Sequence, residues 1–142
     1  MTPEEEKQLL LQVVTKLAVK LIGQGGFVPF GATLGPGRSV KLLMPKNWKR
    51  NASREEVEDY WSSELKKAAT QPDCKTVCSC ADVRMPMDNG ELAPCIFIHI
   101  EHAQSFAEDI GYPYVTDRKS EVKLGLPTSV ETEPRVFVRN GA

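Results

Sequence analysis

Apolar residues near the N-terminus recur at helical spacing: Leu10, Val13, Val14, Leu17 and Leu21 share one face. Thr2-Pro3-Glu4-Glu5 predicts how that helix begins. Thr2 serves as N-cap, Pro3 takes the first helical position, and Glu5 reaches back in a capping box. Gly23, Gly25 and Gly26 stop the helix near Ile22. From Phe27 the period changes to two. Val28, Phe30, Ala32 and Leu34 alternate, as do Val40, Leu42 and Met44, around Gly35-Pro36-Gly37, which predicts a hairpin with an odd-length loop. Ser53-Arg54-Glu55-Glu56 is a second capping box. The helix it opens carries Val57, Tyr60, Trp61, Leu65, Ala68 and Ala69 on one face and ends at Gln71-Pro72-Asp73.

Val77 to His102 predicts two long strands joined at Asp88-Asn89-Gly90. A two-residue type I′ turn at Asn89-Gly90 sets Val83 against Ile96, Ala81 against Ile98 and Ser79 against Ile100, an apolar side for the core. On the other side Cys80 then opposes His99, Cys78 opposes Glu101, and Asp82 opposes Phe97. Ala103 to Tyr114 fits either a short helix or a strand. The rest, 116–142, reads as a tail wrapping the domain edge, with an edge strand near Val136. With 103–114 taken as a strand, the expected architecture is a single α+β domain over 1–142, in the order α-β-β-α-β-β-β plus the irregular tail. Its five- or six-stranded antiparallel sheet carries both helices on one face, the Val83/Ile98 side.

The chemistry-bearing side chains gather on the opposite face of that central hairpin: Cys78, Cys80, Asp82, Phe97, His99 and Glu101 form a candidate contact or ligand surface. Cys78, Cys80, His99 and Glu101 are the residue types of a zinc site. A flat strand face and the absence of any CxxC knuckle argue against one, so neither metal nor cofactor is expected. Cys80 beside His99 has the types of a thiolate–imidazole pair, yet a mid-strand thiol has poor access and no oxyanion hole is evident. No catalytic residue is assigned, and an enzyme is not expected. His102, Tyr112 and Tyr114 mark a secondary pocket candidate beside Glu101. The mixed apolar and polar character of the Cys80/His99 face suits a subunit contact, which predicts a homodimer.

Composition and charge narrow the partners. The chain has 142 residues, 41% hydrophobic and 26% charged, as in a folded globular domain. Leu9 to Ile22 is interrupted by Gln12, Thr15, Lys16 and Lys20, so no membrane span is expected. Four cysteines behind an acidic N-terminus read as free thiols in the cytoplasm. Net charge is −1, but Lys7 to Arg54 holds nine Lys/Arg and no Asp/Glu. A basic loop at 46–50 with Trp48 has the makings of a nucleic-acid grip. The bases are spread over a helix, a hairpin and a loop, which reads better as basic elements folding against acidic ones; nucleic acid is not an expected partner. GPGRSVK lacks the spacing of a phosphate loop.

Phe27, Pro29, Phe30 and Gly31, followed by Glu101-His102 and Pro113-Tyr114, form an FxPFG…EH…PY pattern. In it the chain resembles a family of small bacterial α+β domains to which no activity is assigned. The element order is similar to that of roadblock and profilin-like domains, which implies scaffolding, dimerising or sensing roles. The function expected from the sequence is a non-catalytic protein-interaction or regulatory module, acting as a homodimer or with another protein. The alternative is a small-molecule or metal-binding protein using the Cys/His/Glu cluster.

Overall fold

The computed structural model describes residues 1–46, 53–119 and 121–137. Both capping boxes form as the sequence requires. Thr2 and Glu5 cap α1 (Pro3–Gly23), and Ser53 and Glu56 cap α2 (Arg54–Ala68). Among the described residues no helix is long and apolar enough to cross a membrane. The first hairpin, β1 (Phe30–Gly35) and β2 (Ser39–Leu43), turns through Pro36–Arg38. Gly37 takes φ +68° there, the left-handed conformation a glycine adopts without strain. Gly35 faces Ser39, so the loop has three residues and even positions face even positions, as expected.

The central hairpin, β3 (Thr76–Pro86) and β4 (Leu92–His102), departs from the expected register by one residue. Its loop is also three residues long. Met87 and Glu91 close it through Met87 N–H to the Glu91 carbonyl at 2.8 Å, and Gly90 sits at φ +82°. Gly90 thus supplies a left-handed bulge position at the end of a longer loop, rather than the second half of a type I′ pair. The one-residue slip exchanges which residues share a side. Cys80 faces Ile98, Cys78 faces Ile100 and Ser79 faces His99. Packing explains the choice: this register gathers Cys78, Cys80, Ile96, Ile98 and Ile100, all buried, on one side.

In the ambiguous 103–114 segment the strand reading holds from Ala107, where β5 (Ala107–Thr116) begins, while 103–105 bend. The sheet runs β2-β1-β3-β4-β5, and the outer side of β5 receives first β6 (Val122–Leu124) and then β7 (Thr128–Glu131). β6 and β7 amount to one edge strand broken at Gly125-Leu126-Pro127. Counted separately they make seven strands, against the five or six expected, and counted as one they make six; the α+β class holds. No strand forms at Val136, where the chain bends instead. From residue 47 the expected basic loop at 46–50 lies outside the described residues.

The helices occupy opposite faces of the sheet, not the shared face expected. Leu10, Leu11, Val14 and Ala18 of α1 pack on Phe30, Ala32, Cys78, Cys80, Ile96, Ile98 and Ile100. Trp61 and Leu65 of α2 pack on the other side with Val77 and Val136. At Gly31 a Cβ would lie 2.8 Å from the Trp61 ring, so a glycine is what lets α2 lie this close to β1.

Candidate functional site

The slip in register divides the predicted surface. Cys78, Cys80 and Asp82 belong to the α1 side of the sheet, while Phe97, His99 and Glu101 belong to the α2 side. Cys78, Cys80, His99 and Glu101 therefore do not converge on a metal, and Cys80 is not paired with His99. Among the described residues no group of three or more His, Cys, Asp or Glu side chains could hold a metal ion. Both thiols are buried among apolar side chains, which disfavours the thiolate. Burial pushes Cys78 up to about 12 and Cys80 well above its ordinary value. Asp82 instead accepts a hydrogen bond from the Tyr114 hydroxyl at 2.6 Å.

The secondary pocket also fails to assemble. Ile96 pairs with Tyr112, so His102 lies six residues along β4, on the order of 20 Å away at strand rise. His102 ties strand to helix: its Nε2 lies 3.3 Å from Glu6, and its Nδ1 accepts from Gln104 N–H at 3.1 Å. Nearby, Lys7 pairs with Glu108 at 2.9 Å.

On the α2 side, His99 and Glu101 form the centre of a buried ionic cluster. His99 is 5% exposed and Glu101 is 0% exposed. The ring is held at both nitrogens, Nδ1 by Asp109 at 2.7 Å and Nε2 by Glu101 at 2.5 Å. Asp109 reaches it because β5 sets Asp109 directly opposite His99. The Glu101 carboxylate also accepts backbone N–H bonds from Arg135 (2.9 Å), Val136 (3.0 Å) and Phe137 (3.1 Å). A bent stretch of tail thus wraps three donors around one buried anion. Burial by itself would lower the His99 pKa, but the bonds to Asp109 and Glu101 outweigh it and hold the ring above its ordinary value. Burial would likewise raise Glu101, and the His99 bond with the backbone donors holds it below the usual carboxylate range. With a carboxylate oxygen at each nitrogen, both ring positions are placed to donate, which is the arrangement that suits an imidazolium.

From this cluster His99, Arg135 and Val136 line a cleft of about 410 Å³ between α2 and the β3–β4 face. Ala81, Val83 and Phe97 give it an apolar floor, and Val57, Trp61 and Leu65 line the helix side. Arg54, Glu58 and Arg135 bring charge to it. Arg54 bonds Glu58 at 3.2 Å and lies over the Phe97 ring, 5.7 Å from its centroid. Arg135 was not anticipated, because its placement depends on the tail capping Glu101. The pairing of His99 with Asp109 was within reach of the sequence once 103–114 is read as a strand.

No family model, curated protein or solved structure was found to match the chain.

The titrations predict a stability profile. His99, raised on folding, contributes fully below about 6.5 and loses its contribution as pH climbs through its folded value. Glu101, lowered on folding, contributes fully above about 4.5 and loses its contribution as pH falls through its folded value. Urea midpoints should therefore be highest between about pH 4.5 and 6.5 and decline on the alkaline side. Glu101→Ala should cost about 3–5 kcal/mol near neutral pH, since it leaves three backbone donors without their acceptor and takes away one of the two carboxylates that hold His99. A flat alkaline limb, or a loss below about 1 kcal/mol, would contradict the charged-pair account.

Proposed function

We propose that the protein is a non-catalytic binding module with a regulatory role, and that the cleft between α2 and the β3–β4 face is its recognition site. The carrying observation is the cleft itself, about 410 Å³ with an apolar floor and a few charged groups in its lining. That size and character suit a small-molecule site. Non-catalytic action is supported by how the reactive groups are used. Both His99 nitrogens are engaged by carboxylates, and Cys78 and Cys80 lie in the α1 core. Regulation is supported by Arg135, whose side chain lines the cleft while its N–H caps Glu101, so a ligand at one touches the anchorage of the tail. The four unpaired thiols fit the cytoplasm, and the FxPFG…EH…PY resemblance fits a bacterial source. In an NMR fragment screen, hits should shift the amides of Ala81, Val83 and Phe97, and Val83→Trp, which fills the cleft, should abolish them. Hits confined to other surfaces, or unaffected by that substitution, would reject the reading.

A homodimeric protein-interaction module is the second reading, and a different observation favours it. The outer edge of the sheet beside β5 exposes Val115, Leu126 and Val130, with Leu126 90% exposed. Among the described residues β7 pairs only with β5, which leaves its other edge open. An antiparallel edge meeting its own copy gives a closed two-fold dimer. Light scattering at micromolar concentration should then show a dimer that Val130→Lys converts to monomer. A monomeric wild type would dismiss this reading and leave the cleft untouched.

A further inference from the structure

Two guanidinium groups converge in the lining of the cleft. Arg54 and Arg135 both approach Oε1 of Glu58, at 3.2 and 3.9 Å. On its other side Arg135 lies 3.8 Å from Asp109. Both of these Arg135 distances are too long for hydrogen bonds, and among the described residues its side chain makes none. A planar fork of five donors is thus held in the cleft lining by two ion pairs, without a side-chain hydrogen bond among the described residues. Among the described residues Arg54 is hydrogen-bonded through its Nε alone, which leaves its terminal nitrogens for a ligand.

The neighbouring carboxylates set how much negative charge can be added. Glu58 and Asp109 already flank the pair, and the charge of His99 is taken up by Asp109 and Glu101. A monoanion can bridge the two arginines, whereas a phosphate dianion would meet two carboxylates at close range. Glu58 itself shows that a carboxylate reaches both guanidinium groups. Away from the arginines, Ala81, Val83, Phe97 and Trp61 offer apolar surface. The Trp61 Nε1 is a buried donor without a partner among the described residues, so the wall also has one polar point unused.

We propose that the cleft binds small amphipathic monocarboxylates, with the carboxylate between Arg54 and Arg135 and the apolar body on the Ala81/Val83/Phe97 floor. This inference rests on the cleft being the recognition site. Arginine suits the task because its fork matches a carboxylate at two points, and a neutral amide cannot accept from both guanidinium groups as strongly. An acid and its amide share their apolar body, so comparing them isolates the charge.

The experiment is calorimetric titration of the full chain with phenylbutyrate, octanoate, their neutral amides and inorganic phosphate, with NMR shifts locating each event. The acids should saturate one site and move Ala81, Val83 and Phe97, with each amide about tenfold weaker or more. Arg54→Gln and Arg135→Gln should each weaken the acids about tenfold and leave the amides unchanged. Arg54 is largely exposed at the first position of α2, so its substitution keeps the test sound should Arg135→Gln disturb the tail. Amides binding as tightly as acids, or phosphate binding more tightly, would overturn the monocarboxylate assignment while leaving the cleft a binding site. Acids and amides that all leave the cleft residues unmoved would overturn the assignment and the cleft reading together.

Discussion

One buried carboxylate fixes the geometry of the whole α2 side. Glu101 is completely enclosed and carries a charge that would be prohibitively costly there without partners. It finds four: the His99 ring and the N–H groups of Arg135, Val136 and Phe137. The three backbone donors lie more than thirty residues beyond Glu101 in sequence, so satisfying the charge forces the chain after β7 to cross back over the sheet. That return places Val136 against Trp61 and brings Arg135 into the cleft. Were Glu101 apolar, nothing comparable would hold this stretch, which lacks regular secondary structure of its own.

The two faces of the sheet divide the work by composition. The α1 face is dry: cysteines, isoleucines, Phe30 and the α1 stripe fill it. It supplies most of the apolar burial, on the order of 1.5–3 kcal/mol for each fully enclosed large side chain. The α2 face carries a smaller apolar cluster and an ionic one. A short helix and a bent tail cover that face only in part, and the uncovered part is the cleft. The site is therefore what remains open when a minimal cover is laid over half of a two-sided sheet.

Much of this was legible from local chemistry. Both capping boxes, the three-residue loop of the first hairpin and the α+β class follow from residues close together in sequence. The central register was not legible, because Asp88-Asn89-Gly90 supports either a two-residue or a three-residue loop. The two differ by one position, and that difference moves Cys80 from beside His99 into the opposite core. Both registers also gave a plausible apolar side, since β3 mixes small apolar and sulfur side chains on both faces. Packing of the isoleucines with α1, a long-range effect, makes the choice. Putting both helices on one face followed from the same error, since Val77 and Gly31, which receive α2, point away from Ile98. The tail could not be read because its order comes from Glu101, not from periodicity.

Amide hydrogen exchange at Arg135, Val136 and Phe137 tests the central role of Glu101 most directly. All three belong to a segment without helix or strand, where exchange would ordinarily be fast. If Glu101 holds them, they are strongly protected in the wild type, and Glu101→Ala, which removes the acceptor, releases all three while core amides such as Ile98 stay protected. Rapid exchange of these amides in the wild type, or protection that survives removal of the charge, would contradict the account.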